Sequence, residues 1–354
     1  MKKHTRKTSK GKQLFRIILL VATVISLWFV PWILVKAWIV PLPDTVQEQV
    51  DQTLSYGFDG VIVYVDQANK PPAFYTAGYH NRENKIPTKP DALFKIGSIT
   101  KLYVAVATTK LVKENQLALD ETLADYLPEL DGKIEYADKI TLKMLLQHRS
   151  GIPNFTDHPG YWNSPPETRK EKLALILDLP ANFKPGKKYE YCNTNYLLLE
   201  KIIDKVLGYK FNTYIKNEIL IPLNLNNTFS SLSEVNNMDN LMSGYYVGID
   251  DDLKTNDYGT NGYGSMIASI QDVGVFLRAL NDGSVFNDGE QELYSYVYEH
   301  GGLIPGYQSR AEYHKDIDAV VIQFMSTTDF TGYQYNLLQI THNRVVKILR
   351  KAKD

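Results

Sequence analysis

A serine and a lysine spaced one helical turn apart are the first candidates for chemistry in this chain. Ser98 and Lys101 share one face if their segment is helical, so the amine can take the serine proton during attack on a carbonyl. Burial lowers the pKa of a lysine from about 10.4 and makes its neutral, basic form accessible. The spacing predicts acyl transfer only with suitable partners, because a chance copy begins at Ser9 in a basic tail.

A tyrosine and an asparagine two positions apart are the second candidates. Tyr191 and Asn193 follow a proline-glycine loop and precede a helical pattern, and such a junction can direct a phenol and an amide into a cleft. A neighbouring lysine ammonium lowers the pKa of a phenol, so Tyr191 could act as base or relay beside Ser98. The spacing recurs at Tyr79 and Tyr161, and a core or surface tyrosine is the alternative.

Paired glycines after a histidine are the third candidates. His300 is followed by Gly301 and Gly302 and then by a strand pattern, and glycines allow a ligand to approach the backbone closely. An N–H of an edge strand can join the Ser98 N–H in an oxyanion hole, with His300 as a polar group that binds or polarises the substrate. A histidine in a turn is the alternative.

The elements that must position these residues are strands at both ends of the body and helices between them. The predicted strands are 59–66, 73–80, 309–314 and 319–326. Helical patterns dominate from 98 to about 205, and an amphipathic helix closes the chain from about 335 to 350. This order predicts an α/β fold of the α+β type, an antiparallel sheet flanked by helices with an inserted helical region, and a site between the two parts.

The N-terminal region has the pattern of a membrane anchor. Residues 1–12 carry six Lys or Arg and no acid, and 17–35 are uncharged. At about 1.5 Å per residue this run can cross a bilayer core of about 30 Å, and Pro31 is tolerable in a membrane helix. The positive-inside rule predicts a basic cytoplasmic tail (1–16), one transmembrane helix (17–40) and a body outside the cell membrane. A cleaved signal peptide is the alternative.

The composition of the body excludes several classes of protein. The 354 residues are 44% hydrophobic and 22% charged, as in ordinary globular proteins. Without the first 12 residues, 33 basic face 40 acidic residues, which argues against a nucleic-acid surface. The single Cys192 excludes an intramolecular disulfide. No metal motif occurs and His314 near Asp316 is typical of a solvated strand end, so no metal or other cofactor is predicted.

The ordered set of motifs resembles the serine β-lactamase and penicillin-binding-protein superfamily, in particular the class C β-lactamase and D-alanyl-D-alanine carboxypeptidase branch. Further blocks that match begin at Phe94, Leu145, Gly262 and Pro305. Together they cover about 50–350. The resemblance implies a β-lactamase/transpeptidase-like domain over 45–354, with a sheet portion at about 45–110 and 285–354 and a helical portion at about 111–284.

The resemblance also implies a role for each residue of the first two motifs. Ser98 would be the acylated nucleophile and Lys101 its activating partner. Tyr191 would be the base for acylation and for activating the deacylating water. Asn193 would contact the substrate amide and Lys101.

The third motif implies substrate-binding roles. The resemblance implies that the N–H of Leu303, the residue after Gly302, joins the N–H of Ser98 in the oxyanion hole. His300 replaces the lysine of many true β-lactamases and is typical of esterase and peptidase members. A dedicated antibiotic-hydrolysing role is therefore disfavoured. His148 is implied to be structural.

The resulting prediction is a membrane-anchored bacterial serine hydrolase that acts on an amide, peptide or ester through an acyl-enzyme. Cell-wall D-Ala peptides and β-lactams are candidate substrates, which makes peptidoglycan a candidate partner. The alternative is a penicillin-recognition fold that binds cell-wall peptide without catalysis.

Overall fold

The computed structural model describes residues 10–162 and 164–352, which divide into a unit that ends at Pro41 and a compact unit that begins at Leu42. Among these residues the helices are α1 Lys10–Trp28, α2 Trp32–Ile39, α3 Val46–Thr53, α4 Thr100–Lys113, α5 Leu123–Tyr126, α6 Leu142–Leu146, α7 Arg169–Ala174, α8 Asn193–Leu207, α9 Phe211–Ile215, α10 Ile270–Asp282 and α11 Tyr333–Lys351. The strands are β1 Gly60–Gln67, β2 Ala73–Asn81, β3 Ile86–Pro87, β4 Leu93–Lys95, β5 Thr228–Phe229, β6 Tyr245–Tyr246, β7 Ile267–Ser269, β8 His300–Ile304, β9 Tyr307–His314, β10 Ala319–Met325 and β11 Thr327–Thr328.

The N-terminal unit contains α1, which is long and apolar enough to cross a membrane. Its described side chains, including Leu19 and Ile25, are exposed. The described part of this helix runs from Lys10, inside the predicted tail, to Trp28, before Pro31. The single helix expected over 17–40 is therefore interrupted, because a proline removes a backbone donor and disfavours helical geometry in the residue before it.

The main sheet lies in the second unit and is antiparallel, with the order β3-β2-β1-β10-β9-β8 among the described strands. The predicted hairpin corresponds to β1 and β2, in which Val63 pairs with Tyr75. The strands predicted near the end of the chain correspond to β9 and β10. Strand β10 pairs with β1, so the two ends of the domain meet in the middle of the sheet.

Helices cover both faces of this sheet. On one face, Tyr64 of β1 lies against Gly274 of α10. On the other, Gln323 of β10 donates to Thr341 Oγ1 of α11 at 3.2 Å. Gln323 pairs with Val63, and neighbouring strand residues point to opposite faces, so α10 and α11 lie on opposite sides. The central strands are accordingly apolar and buried along almost their whole length.

The middle of the chain packs around α4, whose residues from Thr100 to Leu111 are all buried. Helices α8 and α9 pack against it. The prediction of a helical middle is confirmed in outline, and short strands also lie within it. Strand β7 pairs with β4 and β5, and β6 pairs with β11.

Candidate active site

The segment that carries Ser98 connects β4 to α4. A short 3-10 turn, Gly97–Ile99, precedes the first α-helical residue, so Ser98 lies just before α4, close to the first-turn position predicted. Gly97 has a φ of +54°, a region that favours glycine. A Cβ on Gly97 would also lie 3.1 Å from the Leu303 nitrogen. Glycine therefore allows both the turn and the close approach of β8.

The Lys101 amine is fully buried beneath Ser98. Its Nζ lies 3.0 Å from Ser98 Oγ, 2.8 Å from Asn193 Oδ1 and 2.7 Å from the Tyr263 carbonyl oxygen. Burial holds the pKa of Lys101 well below its ordinary value, which favours the neutral amine. A neutral amine has two N–H donors, and the amide and carbonyl oxygens can only accept, so its lone pair is left for the Ser98 hydroxyl. This arrangement suits a resident base.

The Tyr191 phenol contacts the same serine from another side. Its O–H donates to Ser98 Oγ at 2.7 Å, and Lys101 Nζ lies 4.9 Å from its ring centroid. Burial raises the pKa of Tyr191 above its ordinary value. This direction is opposite to the one expected from a neighbouring ammonium, because Lys101 is itself buried and favours the uncharged form. Tyr191 is thus a proton donor to Ser98 in the resting site.

Asn193 links α8 to the loop that follows Pro153. Its Nδ2 donates to Thr156 Oγ1 at 3.0 Å, and its backbone N–H donates to Asn154 Oδ1 at 3.0 Å. The side-chain oxygen of Asn193 also accepts a hydrogen bond from Lys101 Nζ. Asn193 therefore connects the buried amine and the start of α8 to this loop. Neither Asn154 nor Thr156 was among the predicted site residues, because a loop conformation has no periodic signal in the sequence.

The edge strand β8 reaches the serine through backbone contact. A Cβ on Gly302 would overlap the Ile96 carbonyl oxygen and Ser309 Oγ, so only glycine allows β8 to pack this closely. The Leu303 amide consequently lies beside the segment of Ser98. An oxyanion hole formed by the N–H groups of Ser98 and Leu303 would need this proximity of the two segments.

A chain of hydrogen bonds fixes the His300 ring. The Cys192 N–H donates to His148 Nδ1 at 3.1 Å, so a neutral His148 carries its proton on Nε2 and donates it to Tyr296 at 3.1 Å. The Tyr296 hydroxyl then donates to His300 Nε2 at 2.8 Å, and His300 Nδ1 donates to the Gly301 carbonyl at 2.6 Å. Burial lowers the pKa of His148 to about 2 and that of His300 to about 3, so both are neutral at pH 7.

These hydrogen bonds differ from the substrate-binding role expected for His300. Both of its ring nitrogens are engaged within the protein, so the ring lines the cavity without a spare N–H for a substrate. His148 is buried, and its hydrogen bond with Tyr296 holds the tyrosine that contacts His300. Tyr296 had no sequence signal, since only the fold brings it between the two histidines.

A cavity of about 580 Å³ opens above Ser98. Six of the seven predicted site residues line it, and Lys101 lies directly beneath. Its wall is rich in aromatic side chains, among them Trp162 and Phe330, whose ring centroids are 5.1 Å apart. Glu299 and Arg310 add charged groups near His300. The additional lining residues are Asn154, Thr156, Tyr161, Trp162, Tyr189, Tyr258, Asn261, Tyr263, Gly264, Tyr296, Val297, Glu299, Gly301, Ile304, Arg310, Phe330 and Tyr335.

The model of the Beta-lactamase family matches residues 41–331, most of the chain. This chain belongs to the Beta-lactamase family. The membership confirms the resemblance seen in the motifs. Among curated relatives, Penicillin-binding protein 4* of Bacillus subtilis (strain 168) is 25% identical, over 75% of this chain and 67% of that protein. Protein flp of Staphylococcus aureus (strain N315) is 29% identical over 55% of this chain, which spans only 40% of Protein flp.

Similar solved structures confirm the predicted fold. The D-amino acid amidase of Ochrobactrum anthropi SV3 superposes with a TM-score of 0.78 at 22% identity, over 87% of this chain and 99% of that one. The penicillin binding protein of Bacillus halodurans gives a TM-score of 0.69 at 19% identity, over 83% and 98% of the two chains. The Beta-lactamase fold thus extends over nearly the whole second unit.

Proposed function

We propose that this protein is a serine hydrolase that forms an acyl-enzyme on Ser98. The observation that carries the proposal is the position of Ser98 Oγ, which lies 3.0 Å from a buried amine and 2.7 Å from a phenol. A serine hydroxyl is a weak nucleophile unless a base takes its proton. Lys101 supplies that base, since its lowered pKa makes the neutral amine available at neutral pH.

Acylation would proceed by attack of Ser98 Oγ on the substrate carbonyl while Lys101 takes the hydroxyl proton. The oxyanion that forms would accept hydrogen bonds from the N–H groups of Ser98 and Leu303. Tyr191 donates to the attacking oxygen and is therefore within reach of the leaving group on the same carbon. Its proton would go to the leaving amine or alcohol, and the proton held by Lys101 would restore the phenol.

Deacylation would use the same groups in reverse. Once Ser98 is an ester, a water molecule must lose a proton to attack it, and the neutral Lys101 amine can accept that proton. Asn193 would orient the acyl group while it holds Lys101 in place. No metal is required in this sequence of steps.

The substrate class that we infer is an amide, peptide or ester with an apolar or aromatic side chain near the scissile bond. The aromatic wall of the cavity, which includes Trp162 and Phe330, supports this preference. The relatives add two specific candidates. One neighbour is a D-amino acid amidase and others are penicillin-binding proteins, so D-amino acid amides and cell-wall D-Ala peptides are the substrates to examine first.

The proposal predicts a covalent adduct on Ser98. The protein is incubated with a fluorescent penicillin, a p-nitrophenyl ester or D-phenylalanine amide, quenched in acid and analysed by intact mass spectrometry. We expect the mass of one acyl group per chain for at least one donor, mapped by digestion to the peptide that contains Ser98. Heat-denatured protein is the control and should not react.

Two outcomes would contradict this function. An adduct that maps to another nucleophile would exclude Ser98 as the acylated residue. Absence of both adduct and turnover with every donor, together with saturable binding of cell-wall peptide, would favour the non-catalytic recognition module instead.

For the N-terminal unit we propose a membrane anchor with the catalytic unit on the outer side. The exposed apolar surface of α1 and the basic residues before it support this arrangement. Protease added to intact cells should degrade the part after Pro41, whereas a cytoplasmic control protein stays intact. Protection of that part until the cells are lysed would reverse the orientation, and release of the mature unit into the medium would indicate a cleaved signal peptide.

A further inference from the structure

We propose a second site, outside the catalytic cavity, in which Glu312, His314 and His342 bind one divalent transition-metal ion of the Zn²⁺ type. Glu312 and His314 are alternate residues of β9 and so point to the same face of the sheet. His342 belongs to α11, which packs on that face. Two imidazoles and one carboxylate are a common ligand set for zinc.

The burial of these residues differs from the sequence expectation. His314 was interpreted as a solvated strand end, yet its side chain is only 13% exposed and that of His342 is 1% exposed. The reason is the packing of α11 against β9, which covers this end of the strand. The separation in sequence between His314 and His342 leaves no metal motif to detect.

The distances between ligand atoms fit a tetrahedral site. Glu312 Oε2 lies 3.4 Å from His314 Nε2 and 3.2 Å from His342 Nε2, and all three atoms lie within 4.8 Å of one another. A zinc ion at about 2.0–2.1 Å from each ligand places tetrahedral ligands about 3.3 Å apart. The two measured contacts with the carboxylate therefore match the edges of such a coordination shell.

The ring nitrogens that face Glu312 also lack hydrogen bonds. Within the described part of the chain, His314 Nε2 and both nitrogens of His342 have no hydrogen-bond partner, despite their proximity to the carboxylate. Buried polar atoms without partners are rare, since each costs about 1–3 kcal/mol. An ion between the two rings and the carboxylate would give the Nε2 atoms a partner.

The surroundings direct the carboxylate of Glu312 toward the two histidines. Arg310 binds Glu312 through Oε1, so Oε2 is directed to the histidines. Such outer contacts commonly orient metal ligands.

Metal binding here would join α11 to the edge region of the sheet. Arg310 links the two sites, since it lines the catalytic cavity and also holds Glu312. Three protein ligands leave one tetrahedral position for a water molecule. The site lies between β9 and α11, and its metal binding does not depend on the hydrolase function of Ser98.

The test uses the full-length protein in detergent, purified without a histidine tag, equilibrated with Zn²⁺ and passed through a desalting column. Elemental analysis should give one zinc per chain. Replacement of Zn²⁺ by Co²⁺ should produce the visible absorption of a tetrahedral ion. His314→Gln and Glu312→Gln should each weaken zinc binding by about tenfold or more.

Matched variants separate this site from other sources of binding. His158→Gln changes an exposed histidine and should keep the wild-type zinc content. Ser98→Ala removes the proposed nucleophile and should also keep it, so loss of the hydrolase function would not affect this result. If His314→Gln folds poorly, the Co²⁺ spectrum of Glu312→Gln decides. No stoichiometric zinc in the wild type, or equal zinc in His314→Gln, would overturn the proposal.

Discussion

Ser98→Ala should abolish turnover and acyl-enzyme formation, with a fall in kcat/KM of about 10⁴-fold or more. The hydroxyl is the atom that bonds to the substrate, and neither Lys101 nor Tyr191 can replace it once the methyl group is in place. The measurement is the initial rate on the best ester or amide substrate, combined with intact mass spectrometry. Equilibrium binding of the substrate should persist, since the cavity remains unchanged.

The control for this substitution is Ser164→Ala, which alters an exposed serine and should retain full activity. Thermal unfolding of both variants should be close to that of the wild type. Within the described residues, Ser98 Oγ forms hydrogen bonds with Lys101 and Tyr191, and the serine lines the cavity and is not part of the packed core. Wild-type rates in Ser98→Ala would show that another group performs the chemistry.

Lys101→Met should lower kcat by about 10²–10⁴-fold, the usual contribution of a general base. Methionine keeps the unbranched shape in this buried position but cannot accept a proton. The wild-type rate should rise with pH as Lys101 loses its proton, and the midpoint of this rise should lie well below the ordinary lysine pKa of 10.5. The residual activity of the variant should not show this rise. Rates measured over the pH range in which both proteins stay folded check the two expectations.

Lys113→Met is the matched control, because it removes a positive charge from an exposed position on the same helix. It should leave both the rate and the pH profile unchanged. If Lys101→Met kept the wild-type rate and its rise with pH, the base would be Tyr191, which is the role that the family resemblance implied. Tyr191→Phe would then produce the larger loss.

Much of the sheet could be predicted from local patterns. The predicted segment 59–66 is shifted by one residue from β1, and 319–326 extends one residue beyond β10. The predicted last helix differs from α11 by at most two residues at each end. Apolar and β-branched residues in short runs are a strong local signal. The pairing of β1 with β10 was not predictable, because it joins segments that are far apart in the chain and no local pattern encodes it.

The chemical groups of the site were predictable and their environment was not. Ser98, Lys101 and Tyr191 have distinctive side chains at short spacings. The Tyr263 carbonyl, which accepts from Lys101, is a backbone atom and any residue would supply it. The direction of the Tyr191 pKa shift also depended on burial, which the sequence does not specify.

The order of strands in the sheet determines when this protein can become active. Ser98 emerges early in synthesis, but β8 carries Leu303 and is held by β9, which in turn pairs with β10. A chain that is still being made therefore contains Ser98 long before the Leu303 amide that we propose for the oxyanion hole. Activity should start only when almost the last strand of the sheet has been made and paired.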